Sequence, residues 1–149
     1  MIGRMRCVVQ RVNEASVTVD GEVVGAVSRG LLVLVGIAAG DSDADLQWMA
    51  DKVVRLRIFP DEDGRFDRSL LDVGGALLSV SQFTLLADTR KGTRPSFTRA
   101  AAPDVARAAW ERFNELVAAH GVQVETGRFG ASMQVALVND GPVTIELER

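Results

Sequence analysis

The chain has 149 residues, of which 47% are hydrophobic and 25% are charged, and its formal net charge is −3 at pH 7. This is the size of one domain, and an acidic chain lacks the basic charge on which general nucleic-acid affinity depends, so we expect one domain and no DNA partner. The longest apolar run, residues 31–39, is far shorter than the roughly 20 residues of a membrane-spanning helix. The N-terminus lacks the apolar region of a signal peptide. We therefore expect a soluble, cytoplasmic protein with no membrane partner.

Strands dominate the N-terminal part of the chain. Residues 7–12 are β-prone, and residues 16–19 and 22–24 flank an Asp20-Gly21 pair, which suits the positive φ angles of a type I′ hairpin turn. Residues 31–37 form a continuous run rich in Leu and Val, which indicates a strand buried on both faces. The sequence thus predicts a hairpin followed by a central strand.

Two helices are predicted from the spacing of apolar residues. The first is capped by Asp41 or Ser42 and extends as far as Arg57. The second covers residues 103–120, begins with a proline in its first turn and stops before Gly121. The Trp and Phe residues in the apolar stripe of the second helix are expected to lie in the core.

Further strands are predicted between and after the helices. Residues 76–82 form an apolar strand, and residues 122–126, 133–138 and 143–147 are expected to be closing strands. The acidic residues 61–64 lack the alternating oxygen ligands and the distant glutamate of a calcium-binding EF-hand loop, so they predict a plain turn.

A single histidine and a single cysteine restrict the possible chemistry. His120 falls at the end of a predicted helix, and Cys7 lies in an apolar strand, where a small buried hydrophobe is expected. A Ser-His-Asp arrangement therefore lacks a base, and a catalytic metal lacks its usual set of ligands. We expect no metal and no cofactor. An enzyme of this composition has to use hydroxyls, amides, main-chain groups and the groups of its substrate.

Two short polar stretches at predicted strand ends are the candidate functional residues. The first consists of Ser81, Gln82, Phe83, Thr84 and Leu85. Hydroxyls and N–H groups at a strand end can polarise a carbonyl, as an oxyanion hole does, without a histidine. The second consists of Asn139, Asp140, Gly141, Pro142, Val143 and Thr144, and Gly-Pro ordinarily marks a turn. Taken alone, either stretch is more often an ordinary strand end.

Residues 88–99 form a basic segment on an otherwise acidic protein. One acidic residue, Asp88, stands against Arg90, Lys91, Arg94 and Arg99. Such a segment is either a solvated loop or a contact for phosphate, and charge alone leaves both interpretations open.

Together these stretches resemble the D-aminoacyl-tRNA deacylases. The likeness rests on both polar stretches, on the basic segment and on three shorter runs, residues 8–12, 70–75 and 127–131. It extends from Met5 over nearly the whole chain, which makes residues 1–4 an N-terminal extension and residues 5–149 one domain. Leu86 stands where that family often has tyrosine, and residues Phe66 and Asp67 stand where methionine and asparagine are common.

The resemblance implies a homodimeric α/β (α+β) fold, with a mainly antiparallel, β-barrel-like sheet and two helices. It also implies hydrolysis of the ester that joins a D-amino acid, or glycine, to the terminal ribose of tRNA. In that family a cis Gly-Pro dipeptide reaches into the pocket of the partner subunit. Gly141 and Pro142 are therefore expected to exclude L side chains, with Arg11 bracing their loop and Met133 as a pocket wall.

The same resemblance implies that Ser81, Gln82, Phe83 and Thr84 are the catalytic residues and hold the ester carbonyl and the adenosine. Thr84 is the obvious nucleophile, yet no group in the sequence is placed to deprotonate it. We favour the hypothesis that the ribose hydroxyl beside the ester activates water and that Thr84 only positions the substrate.

Under this hypothesis Arg90, Lys91 and Arg94 contact acceptor-stem phosphates of the aminoacyl-tRNA, with salt-sensitive affinity. Two other classes remain open. A non-catalytic RNA-binding domain would bind tRNA without hydrolysing it. A threonine-dependent hydrolase of small esters or amides would need no RNA and would leave a covalent intermediate.

Overall fold

A long first strand and its hairpin open the fold. Strand β1 covers Arg6–Val19 and continues into β2, Glu22–Val27, through Asp20 and Gly21. Their φ angles are 50° and 79°, the positive values that a type I′ turn needs, so the predicted hairpin is confirmed. The computed structural model describes residues 4–149, and all of the expected N-terminal extension except the exposed Arg4 lies outside the described residues.

The other strands complete a six-stranded mixed sheet and a small separate hairpin. They are β3 (Gly30–Gly36), β4 (Phe59–Pro60), β5 (Phe66–Arg68), β6 (Ala76–Ser81), β7 (Val124–Thr126) and β8 (Gln134–Glu148). The sheet order is β2-β1-β3-β6-β7, and β8 also pairs with β1. β1 is antiparallel to β2, β3 and β8, whereas β6 is parallel to β3 and β7. β4 and β5 form the separate hairpin.

The sheet closes on itself almost completely. A side-chain carbon built on Gly25 of β2 would lie 2.5 Å from the carbonyl oxygen of Thr126 in β7. Only a glycine permits so close an approach of two strands that are not neighbours in the sheet order. The result is the mainly antiparallel, β-barrel-like α+β fold that the sequence resemblance implied.

Alternate residues of the central strands enter two different cores. Leu31 and Val33 of β3 belong to a cluster that includes residues of both long helices, whereas Leu32 belongs to a second cluster made of strand residues. On β6, Leu77 joins the first cluster and Leu78 the second. A strand covered on both faces has a continuous apolar sequence. The prediction of a doubly buried central strand is confirmed.

The first predicted helix is α1, Asp43–Arg55. Its N-cap is Ser42: the Ser42 hydroxyl accepts from the Asp45 N–H at 3.2 Å, and the Asp45 carboxylate accepts from the Ser42 N–H at 2.9 Å. This capping box satisfies two N–H groups at the helix start. The helix ends before the predicted Arg57, because Leu56 already has an extended ψ of 127°.

Asp41, the other candidate cap, has a different role. Its carboxylate accepts the N–H of Met5 at 3.2 Å and the N–H of Ala38 at 2.6 Å, and so ties the start of β1 to the turn after β3. Burial raises the pKa of Asp41 to about 6, although these two hydrogen bonds act in the opposite direction.

The second predicted helix is α3, Pro103–Ala118. The chain leaves it through a turn that ends at Gly121, whose φ is 86°. A third helix, α2 (Leu70–Val73), was not predicted, because one turn is too short to show helical periodicity. Its signals were local: Ser69 and Asp72 form a capping box, and the following residue, Gly74, has the left-handed conformation of a helix end.

Two predicted segments at the C-terminus form one strand. Except for Met133, which precedes the strand, both segments belong to β8, which pairs with β1 from Thr18 opposite Gln134 to Arg6 opposite Glu148. The register shifts in the middle of this pairing, where the second polar stretch lies. The sequence showed a turn there, whereas the structure keeps the strand continuous through an irregularity.

Candidate active site

A cavity of about 560 Å³ opens at the carboxyl end of β6. Its walls come from the residues after β6, from the chain leading into α3, and from the loop between β7 and β8. The lining is mostly apolar and includes Phe83, Phe97, Phe129 and Met133. An apolar cavity with a few polar groups at one side suits a small organic group that those polar groups orient.

The end of β6 is fixed by a backbone contact with β3. The Gln82 N–H donates to the Val35 carbonyl oxygen at 2.8 Å, after which the chain enters a 3₁₀ turn, Phe83–Leu86. This turn packs on Gly36, where a side-chain carbon would come within 2.6 Å of Leu86. Only a glycine at that position lets the turn lie so close to β3, which holds it beside the cavity.

Three residues of the first predicted stretch line the cavity: Ser81, Gln82 and Phe83. Phe83 is 55% exposed and packs edge to face on Phe97, with ring centroids 4.9 Å apart. Thr84 is exposed and is not among the lining residues, but it holds the next position on the turn. The structure therefore brings three of the five residues of this stretch to the cavity, and Thr84 and Leu85 follow them outside its lining.

The Thr84 hydroxyl oxygen accepts a hydrogen bond from Gln82 Nε2 at 2.5 Å. A hydroxyl that accepts this bond keeps its own hydrogen for a second partner, such as a bound ligand. Within residues 4–149, no hydrogen bond joins the Thr84 side chain to a carboxylate or to His120. The Thr84 hydroxyl thus has a hydrogen left to donate, and no base in the described residues is hydrogen-bonded to it.

Other parts of the cavity wall come from the segments before α3 and after β7. Met133 was expected as a pocket wall and lines the cavity, and its sulfur would lie 2.8 Å from a side-chain carbon built on Gly127. Phe97 and Phe129 also line the cavity, although no role was predicted for them. An isolated aromatic residue in a loop has no periodic pattern that could reveal which surface it covers.

Gly141 and Pro142, the expected stereochemical filter, do not line this cavity. They are exposed residues within β8, and the peptide bond between them is cis. Gly141 has a φ of 136°, and a side-chain carbon there would lie 2.9 Å from Val143. The same loop is closed by Asn139, whose side-chain oxygen accepts the Val143 N–H at 2.8 Å. No role was predicted for Asn139.

Arg11 joins this loop to the rest of the protein. Its Nε donates to the Asp140 carbonyl oxygen at 3.0 Å and lies 3.2 Å from the Asp140 carboxylate. Its Nη1 donates to the Ile58 carbonyl oxygen at 2.7 Å. Arg11 is only 8% exposed, although it is charged, so these contacts replace the water that burial removes.

The basic segment is a loop closed at its base. The backbones of Asp88 and Ser96 exchange hydrogen bonds of 2.7 and 2.9 Å. Arg90 donates two side-chain hydrogen bonds to the Asp88 carboxylate, at 2.9 and 2.8 Å, and this pairing holds the pKa of Asp88 well below its usual range. Lys91 and Arg94 are exposed on the same loop. Of the three predicted phosphate contacts, Arg90 is therefore already engaged by a carboxylate.

Residues 4–149 contain few groups suited to metal-dependent or thiol-dependent catalysis. No group of three or more His, Cys, Asp and Glu side chains in this range is placed to hold a metal ion. Burial raises the pKa of the Cys7 thiol, so its reactive thiolate is disfavoured. None of the described helices is long and apolar enough to cross a membrane.

The fold and the cavity define a class of α+β domains with a nearly closed sheet and a site at the end of a parallel strand. The family model for D-Tyr-tRNA(Tyr) deacylase matches residues 8–148, and the chain belongs to that family. The chain is 59% identical over 144 residues to the D-aminoacyl-tRNA deacylase of Roseiflexus castenholzii, covering 97% of this chain and 92% of the relative. It is 57% identical over 144 residues to the D-aminoacyl-tRNA deacylase of Thermus aquaticus, covering 97% of this chain and 95% of the relative.

Solved structures share the same fold. The c-Myc DNA unwinding element binding protein superposes with a TM-score of 0.91 at 42% sequence identity, covering 97% of this chain and 98% of the other. A probable eukaryotic D-amino acid tRNA deacylase superposes with a TM-score of 0.87 over 98% and 100% of the two chains, at 20% identity. At that identity the second likeness shows the fold alone.

Proposed function

We propose that this protein hydrolyses the ester of D-aminoacyl-tRNA and releases the D-amino acid and tRNA. It is a hydrolase of the D-aminoacyl-tRNA deacylase type, and its relatives that carry this name match nearly their whole length. The observation that carries the proposal is the cavity beside Ser81, Gln82 and Phe83, which offers polar groups on one side and apolar walls on the others.

The proposed chemistry uses the RNA as part of the catalyst. Polar groups at the end of β6 orient the ester carbonyl, and the Thr84 hydroxyl donates its free hydrogen to the substrate while Gln82 holds its oxygen. With no base beside Thr84, water is activated by the ribose hydroxyl next to the ester. The function of Thr84 is therefore positioning, and no acyl-enzyme is formed.

Rejection of L-aminoacyl-tRNA is assigned to Gly141 and Pro142 acting in the cavity of a second subunit. Both are exposed and lie outside the cavity of their own chain, so they can wall a cavity only in another copy. β8 pairs only with β1 in the described sheet and exposes Val135 and Val138, at 38% and 47%. An unpaired edge with exposed apolar residues suits a two-fold interface between identical chains.

The loop that contains Gly141 and Pro142, if held rigidly, would select between substrates by steric exclusion of L side chains. The backbone at Gly141 would occupy the space into which an L side chain projects, while glycine and D side chains point away, so glycyl-tRNA is also expected as a substrate. Arg11 and Asn139 hold the loop in place through Asp140 and Val143. Lys91 and Arg94 are proposed to contact acceptor-stem phosphates, and Arg90 to do so only after leaving Asp88.

Parallel deacylation assays test the proposal. Wild-type protein is incubated with D-Tyr-tRNA, Gly-tRNA and L-Tyr-tRNA, and released labelled amino acid is followed over time. Release from the D and glycyl substrates with L-Tyr-tRNA left intact is expected. Equal rates for D and L substrates would contradict the stereochemical filter, and no release from D-Tyr-tRNA would contradict the proposed activity.

The homodimer is tested separately by sedimentation and by mutation of the β8 edge. Val138→Asp adds a charge to the exposed apolar strand and should shift the protein toward monomer, with loss of activity. The matched variant Val23→Asp adds the same charge at another exposed valine, on β2, and should leave the dimer intact. A monomeric wild-type protein with full activity would contradict the cross-subunit arrangement.

A further inference from the structure

A second groove, of about 370 Å³, lies next to the active-site cavity. It is formed by one face of α3, which contributes Arg107 and Glu111, and by the segment after β7, which contributes Arg128. Phe129 lines both the groove and the cavity, so one aromatic ring separates the two spaces. A ligand that extends out of the cavity on the Phe129 side therefore enters this groove.

The two arginines of the groove are available to an anion. The Arg107 guanidinium lies over the Phe129 ring, 5.1 Å from its centroid, and Arg107 and Arg128 are both exposed. In residues 4–149 neither has a carboxylate within 4.0 Å, whereas Arg112 on the same helix pairs with Asp43 at 3.0 Å. Planar guanidinium groups without a carboxylate partner are well suited to phosphate oxygens.

The covalent structure of the tRNA 3′ end indicates which part of the substrate would bind in this groove. If the terminal adenosine and its amino acid fill the cavity, the 5′ phosphate of that adenosine has to leave between the cavity walls, together with the preceding nucleotide. The two arginines that line the groove are suited to that phosphate. Its carboxylate, Glu111, is an acceptor of the kind that a ribose hydroxyl binds.

We propose that the groove between α3 and the β7–β8 segment binds the 5′ phosphate of the terminal adenosine of tRNA and the ribose of the nucleotide before it, with Arg107 and Arg128 contacting the phosphate. This rests on the proposed function. It differs from the role of the basic loop, because Lys91 and Arg94 belong to the loop before Phe97 and do not line the groove. The groove holds the 3′ single strand, and the loop contacts the stem.

Small competitive inhibitors distinguish binding in the cavity from binding in the groove. Adenosine and the dinucleotide cytidylyl-adenosine (CpA) are tested as inhibitors of D-Tyr-tRNA hydrolysis by wild type and by the double variant Arg107→Gln/Arg128→Gln. CpA should inhibit wild type about tenfold more strongly than adenosine, and the double variant should lose this difference. The inhibition constant of adenosine should not change between the two proteins.

Kinetics on the whole substrate give a second readout. The double variant should raise the KM for D-Tyr-tRNA and leave kcat near wild type. It should also reduce the slope of log KM against log salt by about 0.7 for each phosphate contact removed. Arg112→Gln removes the same charge from another face of α3 and should leave KM and the CpA inhibition constant unchanged. Lys91→Gln/Arg94→Gln should raise KM for tRNA without affecting CpA.

The inference is overturned if CpA inhibits no better than adenosine, or if the double variant binds CpA as well as wild type does. It is also overturned if Arg112→Gln raises KM as the double variant does, because the increase would then result from the loss of positive charge anywhere on α3. Failure of wild type to hydrolyse D-Tyr-tRNA would instead contradict the proposed function, so the two outcomes are distinguishable.

Discussion

Replacement of Thr84 by Val separates a positioning hydroxyl from a nucleophile. The substitution keeps the shape of the side chain and removes the oxygen that Gln82 holds at 2.5 Å. Because Thr84 is exposed, folding stability should change by no more than about 0.5 kcal/mol. The lost contact is one hydrogen bond donated to the substrate, about 1–3 kcal/mol, which predicts a fall in kcat/KM of about 5- to 150-fold.

Loss of a true nucleophile would be far larger, on the order of 10⁶-fold in kcat by comparison with a serine protease triad. Single-turnover deacylation of D-Tyr-tRNA measures the difference, and Thr84→Ser, which keeps the hydroxyl, is the matched control. tRNA ending in 2′-deoxyadenosine and carrying D-Tyr on its 3′ oxygen should be hydrolysed very slowly by wild type. A covalent acyl-Thr84 in quenched wild-type reactions, with complete loss of activity in Thr84→Val, would refute the reasoning.

Three further predictions concern Arg11, the basic loop and Asp41. Arg11→Met leaves two carbonyl oxygens without their donor, so it should lower the free energy of unfolding in urea by about 2–4 kcal/mol. Because the Gly141-Pro142 loop would then be held less firmly, the ratio of kcat/KM for L-Tyr-tRNA to that for D-Tyr-tRNA should rise. An unchanged ratio would contradict a role of Arg11 in the rejection of L substrates. Lys91→Glu/Arg94→Glu should raise KM for tRNA steeply at low salt and little at high salt, whereas Arg55→Glu, on α1, should not; equal effects would leave the loop as a solvated surface. Burial raises the pKa of Asp41 in the folded protein from its ordinary value of 3.8 to about 6, so its stabilising contribution is complete below pH 3.8 and is lost as the pH rises through 6. The free energy of unfolding of wild type relative to Asp41→Asn should therefore fall by about 1–2 kcal/mol between pH 4 and 7, after allowance for its partial exposure; parallel pH profiles would contradict this.

Local patterns in the sequence were sufficient to predict most of the fold. The Asp20-Gly21 turn, the doubly buried β3 and the two long helices follow from backbone chemistry and from the spacing of apolar residues, which act over a few positions. The short helix α2 and the unbroken course of β8 were not predicted. One turn carries no periodicity, and the pairing of β8 with β1 depends on a strand more than a hundred residues away.

The sequence by itself determined which chemistry is possible. One histidine and one cysteine argued against a histidine-based triad and a catalytic metal, and the two polar stretches indicated chemistry by hydroxyls and main-chain groups. The ester substrate was implied only by the resemblance to the D-aminoacyl-tRNA deacylases. Only the tertiary structure decided where these groups lie: Ser81, Gln82 and Phe83 line a cavity, while Gly141 and Pro142 lie outside it on β8. Composition is a property of the chain, whereas a cavity depends on which distant segments pack together. The positions of Phe97 and Phe129 in the cavity wall, and of Arg107 in the groove beside it, therefore could not be predicted from the sequence.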